Sequence, residues 1–307
     1  MKSPFTQLLK QKGILVSDGA MATELEKLGV DTANDLWSAT ALLTAPGKIT
    51  QVHRSYFAAG AMIATTNTYQ ANFAAFKKRG LNPEQFQQLI KQAVDCARQA
   101  QSSAKVPNET LVAGSVGPYG AYLADGSEYT GDYRLTKAEY QAFHYLRIKA
   151  LLAAQVDVLA FETQPNFTEV QALVDLLATK FPHITAWVAF SIKDPQHLCD
   201  GTPLAQAATW LNDQPRIKAV GVNCTDLLQI TPALQTLKKS SIKPLIVYPN
   251  NGDQYDPITK KWQSKHLSPK FSSLAPQWEK NGARIIGGCC RTTPGEIAAI
   301  AQAVANS

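Results

Sequence analysis

Five cysteines occur in 307 residues, and two of them, Cys289 and Cys290, are adjacent behind a Gly287-Gly288 step in the run GARIIGGCCRTTPGEI. Such a pair can form a vicinal disulfide, stay as two buried thiols, or supply two ligands to one metal ion. A third cysteine, Cys224, closes the run AVGVNC. Three thiolates with no ligand-spaced histidine beside them favour zinc. Three fixed ligands leave the fourth position open, a catalytic pattern, whereas a structural knuckle fills all four from two C-x₂-C pairs. A C-C pair plus a remote cysteine matches no strong motif, and cysteines are often buried as small hydrophobes, so buried thiols remain the competing explanation. Cys96 falls in a helical stretch and Cys199 in a loop, and both read as structural. The histidines, His53, His144, His183, His197 and His266, show no H-x-x-x-H or H-E-x-x-H pairing. No G-x-S-x-G elbow and no P-loop is present, so serine-hydrolase and nucleotide-triphosphate chemistry lack support.

The elements that must position these thiols alternate along the chain. Short runs rich in Val, Ile and Ala predict eight strands: Ile14–Ser17, Met62–Thr65, Leu111–Gly114, Val156–Phe161, Ala186–Ser191, Ala219–Val222, Pro244–Val247 and Arg284–Ile286. The segments between them carry helical periodicity, as in Ile49, Val52, Tyr56 and Phe57, or Val170, Leu173, Val174 and Leu177. Near the end, Thr293, Pro294 and Glu296 spell a helix start, followed by the apolar stripe Ile297, Ile300, Ala301 and Val304. Repeated strand–helix units suggest a parallel sheet, and eight of them suggest one α/β domain over residues 1–307, a (β/α)₈ TIM-type barrel. A doubly wound open sheet is the rival, weakened by the missing G-x-G-x-x-G after the first strand. No fixed-period repeat, low-complexity tract or linker interrupts the chain. The longest irregular stretches, Gly117–Tyr133 and Asn250–Pro269, both follow predicted strands, where such a barrel builds its site.

In a barrel the strand C-termini hold the chemistry, and here at least seven end in polar or metal-binding residues. Asp18, Asn67, Ser115, Glu162, Asn223, Asn250 and Cys289 are examples. Any one is an ordinary turn residue, but their recurrence at the same end is harder to assign to turns. Cys224 ends strand six and the Cys289-Cys290 pair ends strand eight. Alternate strands present side chains in one layer and lie on the order of 10 Å apart, so the three thiols can converge. Adjacent residues of a regular strand point to opposite faces, so the backbone is expected to break, and Gly287-Gly288 is where it can do so cheaply.

Composition excludes other classes. The net charge of +6 is dispersed in short pieces such as Lys77, Lys78 and Arg79. No basic stretch interleaved with aromatics supports nucleic-acid binding. No apolar run is long enough for a signal segment or a membrane span, so a cytoplasmic location with reduced thiols is expected.

The runs SDGAMATELEKLG, NDLWSA, HRSYFAAGA, TTNTYQA, GSVGPYGAYLADGSEYTGDY, FETQPN, GVNC, YPNNGD and GGCCRTTPGEI together resemble the homocysteine S-methyltransferases, most of all the branch using S-methylmethionine or S-adenosylmethionine. The resemblance runs in order from Ser17 to Ile297. Met62, where the family usually carries Asp, and Cys199 in CDGTPL depart from the pattern without touching a proposed ligand. The resemblance implies a zinc-dependent barrel with Cys224, Cys289 and Cys290 as ligands. It also implies methyl transfer from a sulfonium donor to the thiolate of homocysteine, giving methionine, with no acid or base acting on the methyl group. Asp18 and Glu162 are implied to hold the ammonium of homocysteine, with Gly19, Met21 and Asn223 completing the substrate set. Tyr69 resembles the family tyrosine that fills the open zinc position before substrate binds. Trp37, Tyr119 and Tyr122 are candidates to face the cationic donor. Betaine-type and selenocysteine methyltransferases are alternatives, as is a non-catalytic zinc or dithiol barrel.

Overall fold

The computed structural model describes residues 3–104, 107–256, 261–263 and 270–305. Its eight parallel strands are β1 (Leu15–Val16), β2 (Ile63–Thr65), β3 (Leu111–Val116), β4 (Val158–Gln164), β5 (Ala186–Phe190), β6 (Ile217–Asn223), β7 (Leu245–Tyr248) and β8 (Ala283–Ile286). They pair in the order β1-β8-β7-β6-β5-β4-β3-β2. The ring closes between β1 and β2 through a parallel bridge from Ser17 to Ile63, where Met62 N donates to Val16 O at 2.7 Å and Asp18 N to Ile63 O at 3.1 Å. One long helix follows each strand: α1 (Pro46–Ala58), α2 (Pro83–Ser102), α3 (Lys137–Ala153), α4 (Phe167–Lys180), α5 (Leu204–Asn212), α6 (Leu227–Ser240), α7 (Phe271–Lys280) and α8 (Pro294–Ala305). This is the (β/α)₈ barrel. Each predicted strand overlaps an observed one.

Period-two alternation explains how one strand serves both core and site. In β3 the inward positions read Leu111, Ala113, Ser115; in β4 they read Val158, Ala160, Glu162. Each strand therefore lays apolar side chains at the bottom of the barrel and a polar one at its C-terminal rim. The outward positions, such as Val112, Leu159 and Phe161, pack against the helices in a second core layer. The helix Pro4–Lys12 closes the floor, with Phe5 fully buried 5.7 Å from the Trp187 ring. Capping boxes start α2 (Asn82 with Gln85) and α3 (Thr136 with Glu139), and Glu296 accepts from Thr293 N at 2.7 Å at the start of α8.

Two stretches expected to be irregular hold short elements. Residues 117–133 contain the helices Tyr119–Leu123 and Ser127–Thr130. In 250–269, Gln254–Asp256 pairs antiparallel with Lys261–Gln263, and the remainder of that expectation, at 257–260 and 264–269, lies outside the described residues. No helix among the described residues is long and apolar enough to cross a membrane.

Candidate active site and metal centre

The three predicted thiols meet at the C-terminal mouth of the barrel. Their sulfurs all lie within 4.8 Å of one another, with Cys224 Sγ 3.3 Å from Cys290 Sγ. Cys224 and Cys290 are buried, and Cys289 is half-buried at the cavity wall. Among the described residues this is the cluster of its kind that can hold a metal ion. Hydrogen bonds from Cys289 and Cys290 pull the Cys224 thiol well below the usual range, and the same sharing pushes the other two up. Cys96 and Cys199 sit elsewhere, against Pro46 O and Ser191 Oγ, each at 3.4 Å.

The backbone device that brings adjacent cysteines together differs from the expected glycine break. The chain stays extended past β8: Gly287 N donates to Val247 O at 3.0 Å, Gly288 N to Asp18 O at 3.0 Å and Cys289 N to Pro249 O at 2.7 Å. Cys289 thus follows Ile285 and Gly287 on the inward face. The chain then turns over Cys289–Thr292, closed by Thr292 N to Cys289 O at 3.1 Å, with Arg291 at φ 67°. Cys290 occupies the corner of that turn. The glycines serve close packing instead, since a Cβ on Gly288 would overlap Thr292 Oγ1 and one on Gly287 would lie 2.7 Å from Ser17 Cβ.

Cys224 reaches the cluster by another strained step. It follows the last residue of β6 at φ 51°, and Thr163 in β4 has φ 55°. A left-handed non-glycine residue costs on the order of 1–2 kcal/mol, and a β-branched one is more unusual still. Asn223 offsets that cost, accepting from Thr163 N at 2.7 Å and donating to Thr163 Oγ1 at 2.8 Å. The same strain carries β4 on to Gln164, past its predicted end at Phe161, through a register shift.

The two predicted carboxylates share a cavity of about 450 Å³ with the thiols. Asp18 accepts from Thr65 N at 2.7 Å, Thr65 Oγ1 at 2.9 Å and Ser17 Oγ at 3.3 Å. Glu162 accepts from Ser115 Oγ and from the Tyr248 hydroxyl, which in turn takes the Trp187 Nε1 proton at 3.1 Å. Burial outweighs these bonds and pushes both acids up to about 7. Each carboxylate keeps free lone pairs, so a cationic ligand would meet two poised acceptors.

The loop after β3 roofs the cavity. Tyr129 places its hydroxyl 3.3 Å from Cys224 Sγ, and Glu128 lines the wall beside it. Tyr69 lines the cavity too, but the side chain that hydrogen-bonds it is Thr163, and its ring meets Trp37 edge-on at 6.0 Å. The phenol against the sulfurs is therefore Tyr129. A buried network clamps this roof. Arg147 on α3 donates to Tyr69 O at 2.7 Å, Gly117 O at 2.6 Å and His144 Nδ1 at 2.7 Å. His144 Nε2 then faces Glu169 Oε1 at 2.7 Å, and Glu169 also takes Tyr119 N and the Tyr133 hydroxyl, both at 2.6 Å. Since Arg147 can only donate, Nδ1 is the acceptor and Nε2 carries the proton. Burial lowers the His144 pKa, which keeps the imidazole neutral.

Of the remaining sequence-predicted residues, Gly19 and Met21 line the cavity, whereas the Ala20 amide between them is spent on Thr292 O at 3.2 Å. Gly19 is required by contact, because a Cβ there would lie 2.8 Å from Thr292 Oγ1 and from Tyr56. Asn223 is fully buried, and its amide braces Thr163 and reaches Cys289 Sγ at 3.9 Å. Trp37 lines the cavity; Tyr119 instead meets Phe143 edge-on at 5.0 Å and Tyr122 meets it tilted at 5.6 Å, with Lys78 over Tyr122. Glu128 and Tyr129 are site residues that sequence reasoning did not single out, whereas Ser115 and Tyr248 stand at strand ends but were given no role there. For Ser115 and Tyr248 a signal existed, since each continues the inward alternation of its strand.

Comparison with known proteins agrees with this geometry. Residues 15–304 match the model of the homocysteine S-methyltransferase family. The chain is 48% identical over 304 residues to the homocysteine S-methyltransferase of Escherichia coli K12, with 97% of each chain covered. It is 46% identical over 306 residues to the Bacillus subtilis homocysteine S-methyltransferase YbgG, again with 97% of each covered. The crystal structure of the metallated form of the E. coli homocysteine methyltransferase MmuM superposes with a TM-score of 0.88 at 47% identity, covering 99% of this chain and 100% of that one. The chain belongs to the homocysteine S-methyltransferase family.

Proposed function

We propose that residues 1–307 act as one cytoplasmic catalytic domain that moves a methyl group from a sulfonium donor, S-methylmethionine or S-adenosylmethionine, to the sulfur of homocysteine. The observation that carries this assignment is the convergence of three cysteine sulfurs and two buried carboxylates on one cavity. Four ligands placed tetrahedrally at about 2.3 Å from a zinc ion would hold sulfurs roughly 3.8 Å apart. The observed separations, 3.3 Å for the closest named pair and none above 4.8 Å, bracket that value. The all-sulfur donor set suits zinc, and Cys224, Cys289 and Cys290 would hold it. Bound there, zinc supplies the Lewis acidity that makes a thiol ionise near neutral pH.

The protein's own residues do the rest. Glu162 and Asp18 take the ammonium of homocysteine by charge-assisted hydrogen bonds, and that cation supplies the countercharge that burial denies them. Holding the amino-acid end fixes the distance from its sulfur to the three cysteines. The thiol proton leaves to solvent, the sulfur's electron pair forms the new S–CH₃ bond, and the old S–CH₃ pair returns to the donor as a neutral thioether. Positioning and exclusion of water under the Tyr129 roof are the protein's contribution to the rate.

The test is methionine formation by purified protein from homocysteine, with S-methylmethionine, S-adenosylmethionine or betaine as donor, with and without a chelator. Sulfonium donors are expected to work, with loss on chelation and recovery on adding zinc. Turnover with betaine alone, preference for selenocysteine, or activity untouched by thorough metal removal would overturn the assignment.

A further inference from the structure

The floor and the rim of the cavity differ in charge. Asp18 and Glu162, the acids proposed for the ammonium of homocysteine, are buried and line the same cavity as the three sulfurs. At the rim stands Arg291, the one cationic side chain among the described residues that line the cavity. Its side chain is 35% exposed, so a ligand entering the cavity can reach it. Nε donates to Asp253 Oδ2 at 3.1 Å, and the guanidinium makes no other hydrogen bond among the described residues. The four N–H groups on Nη1 and Nη2 are therefore unspent.

We propose that Arg291 binds the carboxylate of the methyl donor, and so selects sulfonium amino acids over sulfoniums that lack a carboxylate. This deepens the proposed function and rests on it.

The chemistry of the two substrates calls for such a group. Each is an amino acid with one ammonium and one carboxylate, while the described wall offers several carboxylates and a single cation. A guanidinium meets a carboxylate through two parallel N–H bonds, the pairing its planar fork suits. Depth decides which carboxylate it meets. In homocysteine the carboxylate shares a carbon with the ammonium, so it stays at the floor with Asp18 and Glu162, which are 5% and 8% exposed. The donor brings its methyl group to the sulfur from the open side, which leaves its own carboxylate at the rim. The guanidinium is also held still. Asp253, itself buried, takes the Nε proton and leaves the Nη pair free. The amide of Asp253 donates to Asn251 Oδ1 at 3.0 Å, and Asn251 N donates to Cys290 O at 3.2 Å, so this brace is tied to the turn that presents Cys290. Arg291 itself stands at φ 67°, where glycine would be free of strain. Strain kept for a long cationic side chain beside the sulfurs marks a position that serves binding. The donor carboxylate keeps its charge throughout methyl transfer, so this contact tightens donor binding without slowing the chemistry.

The experiment uses the zinc-loaded full chain, homocysteine, and two donors: S-methylmethionine and (3-aminopropyl)dimethylsulfonium, the same molecule without its carboxylate. Where the second donor turns over slowly, its inhibition constant against S-methylmethionine is read instead. For Arg291→Gln, KM for S-methylmethionine is expected to rise roughly 10- to 100-fold, the loss of one charge-assisted fork. Arg291→Lys keeps the charge without the fork and should fall between wild type and Arg291→Gln. The kcat, the homocysteine KM, the zinc content per chain and the constants for the truncated donor should stay near wild type, so that the preference between donors collapses. An unmoved S-methylmethionine KM overturns the proposal. So does a rise in homocysteine KM in its place, which would put Arg291 on the acceptor, or an equal loss with both donors, which would make its role structural. In each of those cases the wild type still makes methionine and the activity assignment stands. Should the wild type form methionine from neither sulfonium, that assignment itself falls and takes the role of Arg291 with it.

Discussion

Replacing Glu162 by Gln should disable the enzyme and stabilise the protein at once. Burial raises this carboxyl from 4.5 to about 7 in the fold. A raised acid means the folded state keeps its proton to higher pH than the unfolded chain. The penalty is absent well below pH 4.5, grows between 4.5 and about 7, and is constant above. With about 1.4 kcal/mol for each pH unit, it reaches on the order of 3 kcal/mol at pH 8 and about 1 kcal/mol at pH 5. Glutamine cannot ionise, so it escapes this cost. It can still accept from Ser115, but it turns an NH₂ towards Tyr248, whose hydroxyl already accepts from Trp187 at 3.1 Å. That mismatch returns about 1 kcal/mol. The net gain is about 2 kcal/mol at pH 8, or roughly 4 °C in Tm for a domain of this size, and near zero at pH 5. Thermal unfolding of wild type and variant at both pH values, at equal metal content and without homocysteine, reads it directly. Methionine formation should fall by about two orders of magnitude or more in the same variant, through homocysteine binding. A variant no more stable than wild type at pH 8 would show that Ser115 and Tyr248 already hold the carboxylate ionised at no cost, and the charge logic of the cavity would collapse.

Three further outcomes follow from the cluster and its supports. Cys290→Ser should lower zinc content per chain, measured by elemental analysis, and abolish methionine formation; full activity at wild-type metal content would refute the three-sulfur centre. Gly288→Ala forces Thr292 Oγ1 out of the way. It should cost roughly 1–3 kcal/mol in chemical unfolding and weaken zinc retention against a chelator, because Thr292 closes the turn that presents Cys290. Arg147→Met strips two backbone carbonyls of their donor and leaves Glu169 facing a neutral imidazole. Unfolding should ease by about 3–5 kcal/mol, and Arg147→Lys should recover part of it, since lysine restores charge but not the fork.

The parts of this molecule legible in its sequence are those with a period. The eight strands announce themselves as apolar runs, and Glu162 is marked out as an acid where an apolar alternation should have continued. The cysteine trio followed from strand ends two apart in the ring. Contacts made across the fold left no such trace. His144 and Arg147, three apart in KAEYQAFHYLRIKALLA, look like the solvent side of a helix, yet both are buried, because His144 pairs with Glu169 on the next helix and Arg147 donates to His144 and to the Tyr69 and Gly117 carbonyls. Glu128 and Tyr129 sit in a four-residue helix between two glycines, too short for any pattern to show which way they face. Asn223 had the residue type of a ligand contact and the position of one, but its amide is consumed by a strained neighbour that sequence does not reveal.

That neighbour has a consequence for catalysis. Thr163 directly follows Glu162, and Cys224 directly follows Asn223; both second residues are left-handed, at φ 55° and 51°. Two such steps together cost on the order of 2–4 kcal/mol, and strain of this size persists only where surrounding contacts over-determine it. Here one side chain does so. Asn223 grips Thr163 at two points while its own backbone launches Cys224, and its Nδ2 also faces Cys289 Sγ at 3.9 Å. The carboxylate proposed to hold homocysteine by its ammonium and two of the sulfurs proposed to hold the metal near its thiol are thereby fixed to one rigid amide. The span between the two ends of homocysteine is set at the strand ends, independent of the loops above. Those loops are then free to differ in which donor they admit, and that is the division of labour a barrel rim permits.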